Sequence, residues 1–204
     1  MRQACPTRQH LAIPAPLHAI TCPDHSITQE PRQLGAELHH AAQLWVAQGP
    51  DLFLSRGSVE MLETELQPLM SGPLHPLLAD MLALARRYQR LSGTAELRFR
   101  LEKITHDSCS RFHVDNVPLR LLCTYTGPGV QWKQPESDTI HTTPTGWLSL
   151  LKGRQYPNWS ASTAVLHRSP PLSGLATPVT RLLLTLDHPD ACGMAVPHAT
   201  PEEQ

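Results

Sequence analysis

A histidine and an aspartate stand two residues apart, His113 and Asp115, in the stretch RFHVDNVPLRLLCTYTGPG. An extended chain alternates faces with a period of two, so both side chains would point the same way. An apolar, strand-like run follows, which makes that side an interior or a cleft. Burying an imidazole and a carboxylate costs free energy unless something compensates it. A bound metal, a mutual hydrogen bond or solvent in an open cleft would each serve.

A second histidine, His167, ends the apolar run of AVLHRSPP, and Arg181 opens TRLLLTLD fourteen residues later. The order is His-x-Asp, about fifty residues, His, then about a dozen residues and an arginine. That is the order of a two-histidine, one-carboxylate facial triad. Such a triad holds Fe(II) by one face and leaves positions open for a co-substrate and dioxygen. An arginine nearby can pair bidentately with the far carboxylate of 2-oxoglutarate, which the point charge of a lysine matches less well. Singly, each residue has a blander reading: a chance His-x-Asp pair, a cleft histidine, an arginine facing solvent at a strand start. Their order on β-patterned segments is what points to metal chemistry.

The elements that must carry these residues follow from periodicity. Residues 1–30 are rich in Pro, Thr and His and show no lasting period, so they read as an irregular lead-in. Helical spacing runs through PRQLGAELHHAAQLWVAQ and stops at Gly49-Pro50. A second helix is expected over 58–66 with Ser58 as N-cap, and a third over 75–91, closed by Ser92-Gly93. Residues 31–93 thus read as a helical layer. The period then changes: TAELRFRLEKIT alternates strictly, with Leu97, Phe99 and Leu101 on one side and charged residues on the other. LRLLCTYT, GWLSLLKG, STAVLHR and TRLLLTLD follow, each bounded by turn residues. The expected fold is α+β: an antiparallel jelly-roll or cupin-like β domain over 94–188 behind the helical layer, then a loosely ordered tail, 189–204.

On the last strand, alternation places Arg181, Leu183 and Thr185 on one face and Leu182, Leu184 and Leu186 on the other. No acidic residue is read on the Arg181 face, so an incoming dicarboxylate is the expected partner. The rival reading turns Arg181 outward to pair with Asp187. Tyr125 shares parity with Leu121 and Cys123 and could hydrogen-bond a co-substrate; packing with a satisfied hydroxyl is its other reading. His39 and His40 are adjacent on a helix, diverge by about 100° and make a poor chelate.

Composition narrows the class. The net charge is −1 and no basic run appears, so nucleic acid is not an expected partner. No segment is apolar enough to span a membrane, and prolines interrupt the N-terminal residues where a signal peptide would lie. The five cysteines are scattered, with no CxxC, which argues against a disulfide framework and for reduced thiols in the cytoplasm.

CSRFHVDNVPLRLLCTYTGPG, with LLKG and HRSPP…TRLLLTLD, resembles an uncharacterised bacterial family, the domain of unknown function 1826 family, over residues 34 to 187. The β domain also resembles the 2-oxoglutarate/Fe(II) dioxygenase superfamily, whose fold is the double-stranded β-helix. That second resemblance implies Fe(II) held by His113, Asp115 and His167, with 2-oxoglutarate anchored by Arg181. It implies oxidation of a small-molecule or peptide substrate, with 2-oxoglutarate converted to succinate and CO₂. A serine or threonine often sits two residues after the arginine in that superfamily; Leu183 stands there in this chain, and Thr185 could partly replace it. The alternatives are a cupin-like metal protein without oxygenase activity, an isomerase, lyase or metal-handling accessory, and a non-enzymatic module working through its helices.

Overall fold

The computed structural model describes residues 15–191. Three helices form where the spacing predicts them: α1 over Ala36–Gln48, α2 over Val59–Leu66 and α3 over His75–Ser92. Ser58 caps α2, its Oγ accepting the Met61 backbone N–H at 3.3 Å. Gly93 ends α3 at φ 72°, a left-handed conformation that favours glycine.

Among the described residues, nine strands form two sheets. They are β1 (Ile27–Glu30), β2 (Leu52–Gly57), β3 (Leu97–Ile104), β4 (Leu119–Thr126), β5 (Gln131–Lys133), β6 (His141–Thr142), β7 (Leu148–Lys152), β8 (Leu166–Arg168) and β9 (Arg181–Asp187). The larger sheet has the order β1-β7-β4-β9-β3-β2 and the smaller β6-β5-β8; all pairings are antiparallel. The protein is thus a mixed helix and antiparallel-sheet fold, and the two sheets are not closed into a barrel.

Two expectations about boundaries change. The lead-in is not wholly irregular: its end forms β1, which pairs with β7. The helical layer holds β2, which pairs with β3 and edges the same sheet. Both are short edge strands whose partners lie far along the chain, so local periodicity does not reveal them. The cysteine reading is also corrected. Cys22 is disulfide-bonded, and neither Cys109 nor Cys123 is its partner, since both are free. Among the described residues, no helix is long and apolar enough to cross a membrane.

Each face of the larger sheet has its own core. Leu97, Phe99, Leu101, Leu121, Leu150, Leu184 and Leu186 meet Trp45, Leu62, Leu77, Met81 and Tyr88 from the helices. On the other face Ile27, Ile104, Leu122, Leu151 and Leu183 meet Val130, Trp132, Val165 and Leu172. This second core lies between the sheets, and charged side chains interrupt it. The charged positions of β3, Arg98, Arg100 and Glu102, point to this side and line a cavity there.

Candidate metal centre

His113 belongs to no strand, yet it is tied to β8 by a single antiparallel bridge to His167. His113 N–H donates to the His167 carbonyl at 3.0 Å, and His167 N–H to that of His113 at 2.9 Å. The rings end with centroids 4.7 Å apart. Asp115 follows at the same parity and is steadied by its carbonyl, which accepts the Arg154 N–H at 2.9 Å. Gly153 makes this approach possible: a Cβ there would lie 2.1 Å from the Val117 carbonyl oxygen and 2.8 Å from that of Asp115.

The three ligating atoms lie within 4.8 Å of one another, a set able to hold a metal ion. Asp115 Oδ2 stands 2.9 Å from His167 Nε2, and Asp115 Oδ1 stands 3.4 Å from His113 Nε2. Although buried, Asp115 Oδ2 has no hydrogen-bond partner, so its closeness to His167 Nε2 is convergence without a bond. Unsatisfied buried acceptors are costly, and a cation between the two atoms would satisfy both. The His113 ring is set for the same role. Its Nδ1 lies 2.8 Å from the Arg111 carbonyl, which can only accept, so Nδ1 carries the proton and Nε2 presents a lone pair.

Electrostatics keep Asp115 ionised. Burial alone would raise its pKa, but His113, His167 and Arg120 outweigh burial and hold it well below the usual carboxylate range. The nearby Asp115 carboxylate favours the charged imidazolium and raises the pKa of His113 in turn, against the opposing effect of burial.

A cavity of about 120 Å³ opens beside this set, lined by His113, His167, Arg120, Leu122, Arg181, Leu183 and Thr185 among others. Arg181 is 1% exposed. Its Nε donates to the Pro128 carbonyl at 2.8 Å, Nη1 to Ser169 Oγ at 3.2 Å and Nη2 to Thr124 Oγ1 at 3.4 Å. All three acceptors are neutral, and no carboxylate among the described residues is within ion-pair distance. Burial pulls its pKa down to about 10, offset in part by Glu102, itself engaged by Arg100 at 2.6 Å. A buried guanidinium without a counter-ion is a candidate anion site.

Two expectations about this wall change. Asp187 does share the Arg181 face, since 181 and 187 have the same parity. It is not the partner of Arg181, because six residues of extended strand separate them by about 20 Å. Asp187 is instead claimed by Arg120, Nε to Oδ1 at 2.7 Å and Nη2 to Oδ2 at 2.8 Å, with Arg98 at 3.5 Å. Tyr125 does not face the cavity. It shares parity with Leu121 and Cys123, as read, but that face packs on the helices, where the Tyr125 hydroxyl donates to Asp80 Oδ2 at 2.6 Å. Thr185 does line the cavity.

Sequence reasoning missed Arg120, which joins the centre through Asp115 Oδ1 at 2.6 Å. Its signal was available: Arg98, Arg100, Arg120, Arg181 and Asp187 all stand on the non-helix faces of three adjacent strands. His39 and His40 lie exposed on α1, as expected of a solvated face.

The chain belongs to the family described as protein of unknown function (DUF1826), whose model matches residues 13–187. No protein of curated function matches it. Among solved structures, it is similar to the dioxygenase for auxin oxidation 1 from Arabidopsis thaliana bound to 2-oxoglutarate: 14% identity, 79% of this chain and 82% of that one, TM-score 0.48. It is similar to a Pseudomonas putida prolyl-4-hydroxylase at 16% identity over 86% and 94% of the chains, TM-score 0.48. A third is Neurospora crassa T7H in complex with alpha-KG, at 14% identity over 84% and 76%, TM-score 0.43. At scores below 0.5 these likenesses decide neither fold nor activity.

Proposed function

We propose that this protein is a 2-oxoglutarate-dependent oxygenase that holds Fe(II) through His113, Asp115 and His167. One observation carries the reading. A cavity joins a convergent His, Asp, His set, with an orphaned carboxylate oxygen, to a buried arginine that no carboxylate among the described residues neutralises. The first suits a divalent cation and the second a carboxylate, and the proposed co-substrate must meet both.

The strand order supports a double-stranded β-helix. From β3 onward the chain passes from the larger sheet to the bridge at His113, back to β4, across to β5 and β6, back to β7, across to β8 and back to β9. That alternation winds two sheets around the cavity.

In this reading the ion supplies dioxygen activation, coupled to conversion of 2-oxoglutarate to succinate and CO₂. The residues of the chain supply the rest. The Arg111 carbonyl holds the His113 tautomer. Arg181 takes the distal carboxylate of 2-oxoglutarate, and the Thr185 hydroxyl is placed to add a hydrogen bond. Ile104, Leu122, Val130 and Leu183 restrict water around these polar groups.

The experiment is metal analysis of protein purified without chelator, then calorimetry of 2-oxoglutarate with Mn(II) present. We expect one metal per chain and metal-dependent 2-oxoglutarate binding. Metal binding without 2-oxoglutarate binding would leave the cupin-like metal protein in its place.

A further inference from the structure

We propose that Arg120 is a positioning residue that makes Asp115 a one-oxygen ligand, an inference that rests on the metal reading above. The guanidinium is planar, and its bidentate pair with Asp187 fixes that plane. Nη1 is thereby presented to Asp115 Oδ1 at 2.6 Å. Asp187 is itself rigid: its side chain is 1% exposed, and Arg98 flanks Oδ2 at 3.5 Å. Ion pairs among Arg98, Arg120, Asp187 and Asp115 thus link β3, β4, β9 and the Asp115 segment.

The consequence lies in the two oxygens of Asp115. Oδ1 is taken by Arg120, while Oδ2 is buried, without a hydrogen bond, and converges on His167. Asp115 therefore offers one oxygen to a cation. One oxygen and two imidazoles fill three of six octahedral positions and leave three open. Were both oxygens to ligate, two would remain, too few for a chelating co-substrate and dioxygen together. Arg120 thus sets how many positions the centre keeps free without touching the ion.

The test is Co(II) titration of the full chain, comparing wild type with Arg120→Lys and Asp187→Asn. Melting in the absence of metal checks the fold, and the visible Co(II) spectrum reports ligand geometry. Lysine keeps the charge but not the fork, and Asp187 lies outside the ligand set. Both variants should bind Co(II) about 10- to 100-fold more weakly, the usual cost of losing an outer hydrogen-bond partner, with a shifted spectrum. A purely structural role would lower the melting temperature and leave spectrum and affinity unchanged; that result overturns the proposal. If neither variant folds, the wild type decides. Infrared carboxylate stretches of ¹³C-aspartate protein on Zn(II) binding should carry the one-oxygen splitting, and a two-oxygen splitting overturns the assignment. A wild type that binds no metal overturns the metal reading itself; one that binds metal as tightly as Arg120→Lys, with the same spectrum, overturns only this inference.

Discussion

His113 and His167 face each other across one isolated hydrogen-bonded rung, their backbones exchanging bonds of 3.0 and 2.9 Å. Two candidate ligands are thus locked in register by main-chain atoms alone. The rung does not depend on what their side chains do.

Because the rung is main chain, His167→Ala should remove a ligand without unfolding the protein. Mn(II) or Co(II) affinity should fall by more than about 100-fold, beyond the usual loss for an outer partner. The metal-free melting temperature should stay within a few degrees of wild type. Calorimetry and thermal melts on the same samples check both.

Arg181→Ala should separate co-substrate from metal. A charge-assisted bidentate pair contributes roughly 1.5–3 kcal/mol, so 2-oxoglutarate should bind about ten- to a hundredfold more weakly. Metal content should remain at the wild-type level. Equal 2-oxoglutarate affinity in the two proteins would return Arg181 to a structural role.

Gly153→Ala should disturb the centre from behind. The new Cβ would lie 2.1 Å from the Val117 carbonyl oxygen, and backbone cannot swing aside as a side-chain tip can. Forcing this overlap should cost about 1–3 kcal/mol of stability. It also displaces the Asp115 segment, so metal affinity should fall with the denaturation midpoint. Urea melts paired with Co(II) titration test the coupling.

The pair of Arg87 on α3 with Glu30 on β1 should make stability depend on acid. Arg87 Nη1 donates to Glu30 Oε1 at 2.6 Å, and this bond holds the Glu30 pKa below its ordinary 4.5, against the effect of burial. A depressed carboxylate contributes stability that is present above its unfolded pKa and lost as pH falls through its folded one. Wild type should therefore exceed Glu30→Gln in stability at neutral pH, with the gap closing as the pH falls below the ordinary 4.5 and through the lower folded-state value. Denaturant melts of both proteins across that range provide the check.

Local rules were enough for much of this protein. Alternation in LRLLCTYT and TRLLLTLD marked β4 and β9 over the residues that form them. Helical spacing and the Ser58 cap marked α2, and the order His113, Asp115, His167, Arg181 named three residues that converge and an arginine that lines the cavity beside them. Such features depend on neighbours within a few residues. The tertiary structure alone decided which face of each strand is inside. Period two shows that Tyr125 lies opposite to Thr124, but only the helices packed on Leu121 and Cys123 send Tyr125 to Asp80 and Thr124 to Arg181. It also chose the partners of the charges. Asp187 and Arg120 are 67 residues apart and meet because β4 and β9 pair in the register that sets them opposite each other. Strand pairing is settled by the total burial of two sheets and three helices, a sum that no local window of sequence contains.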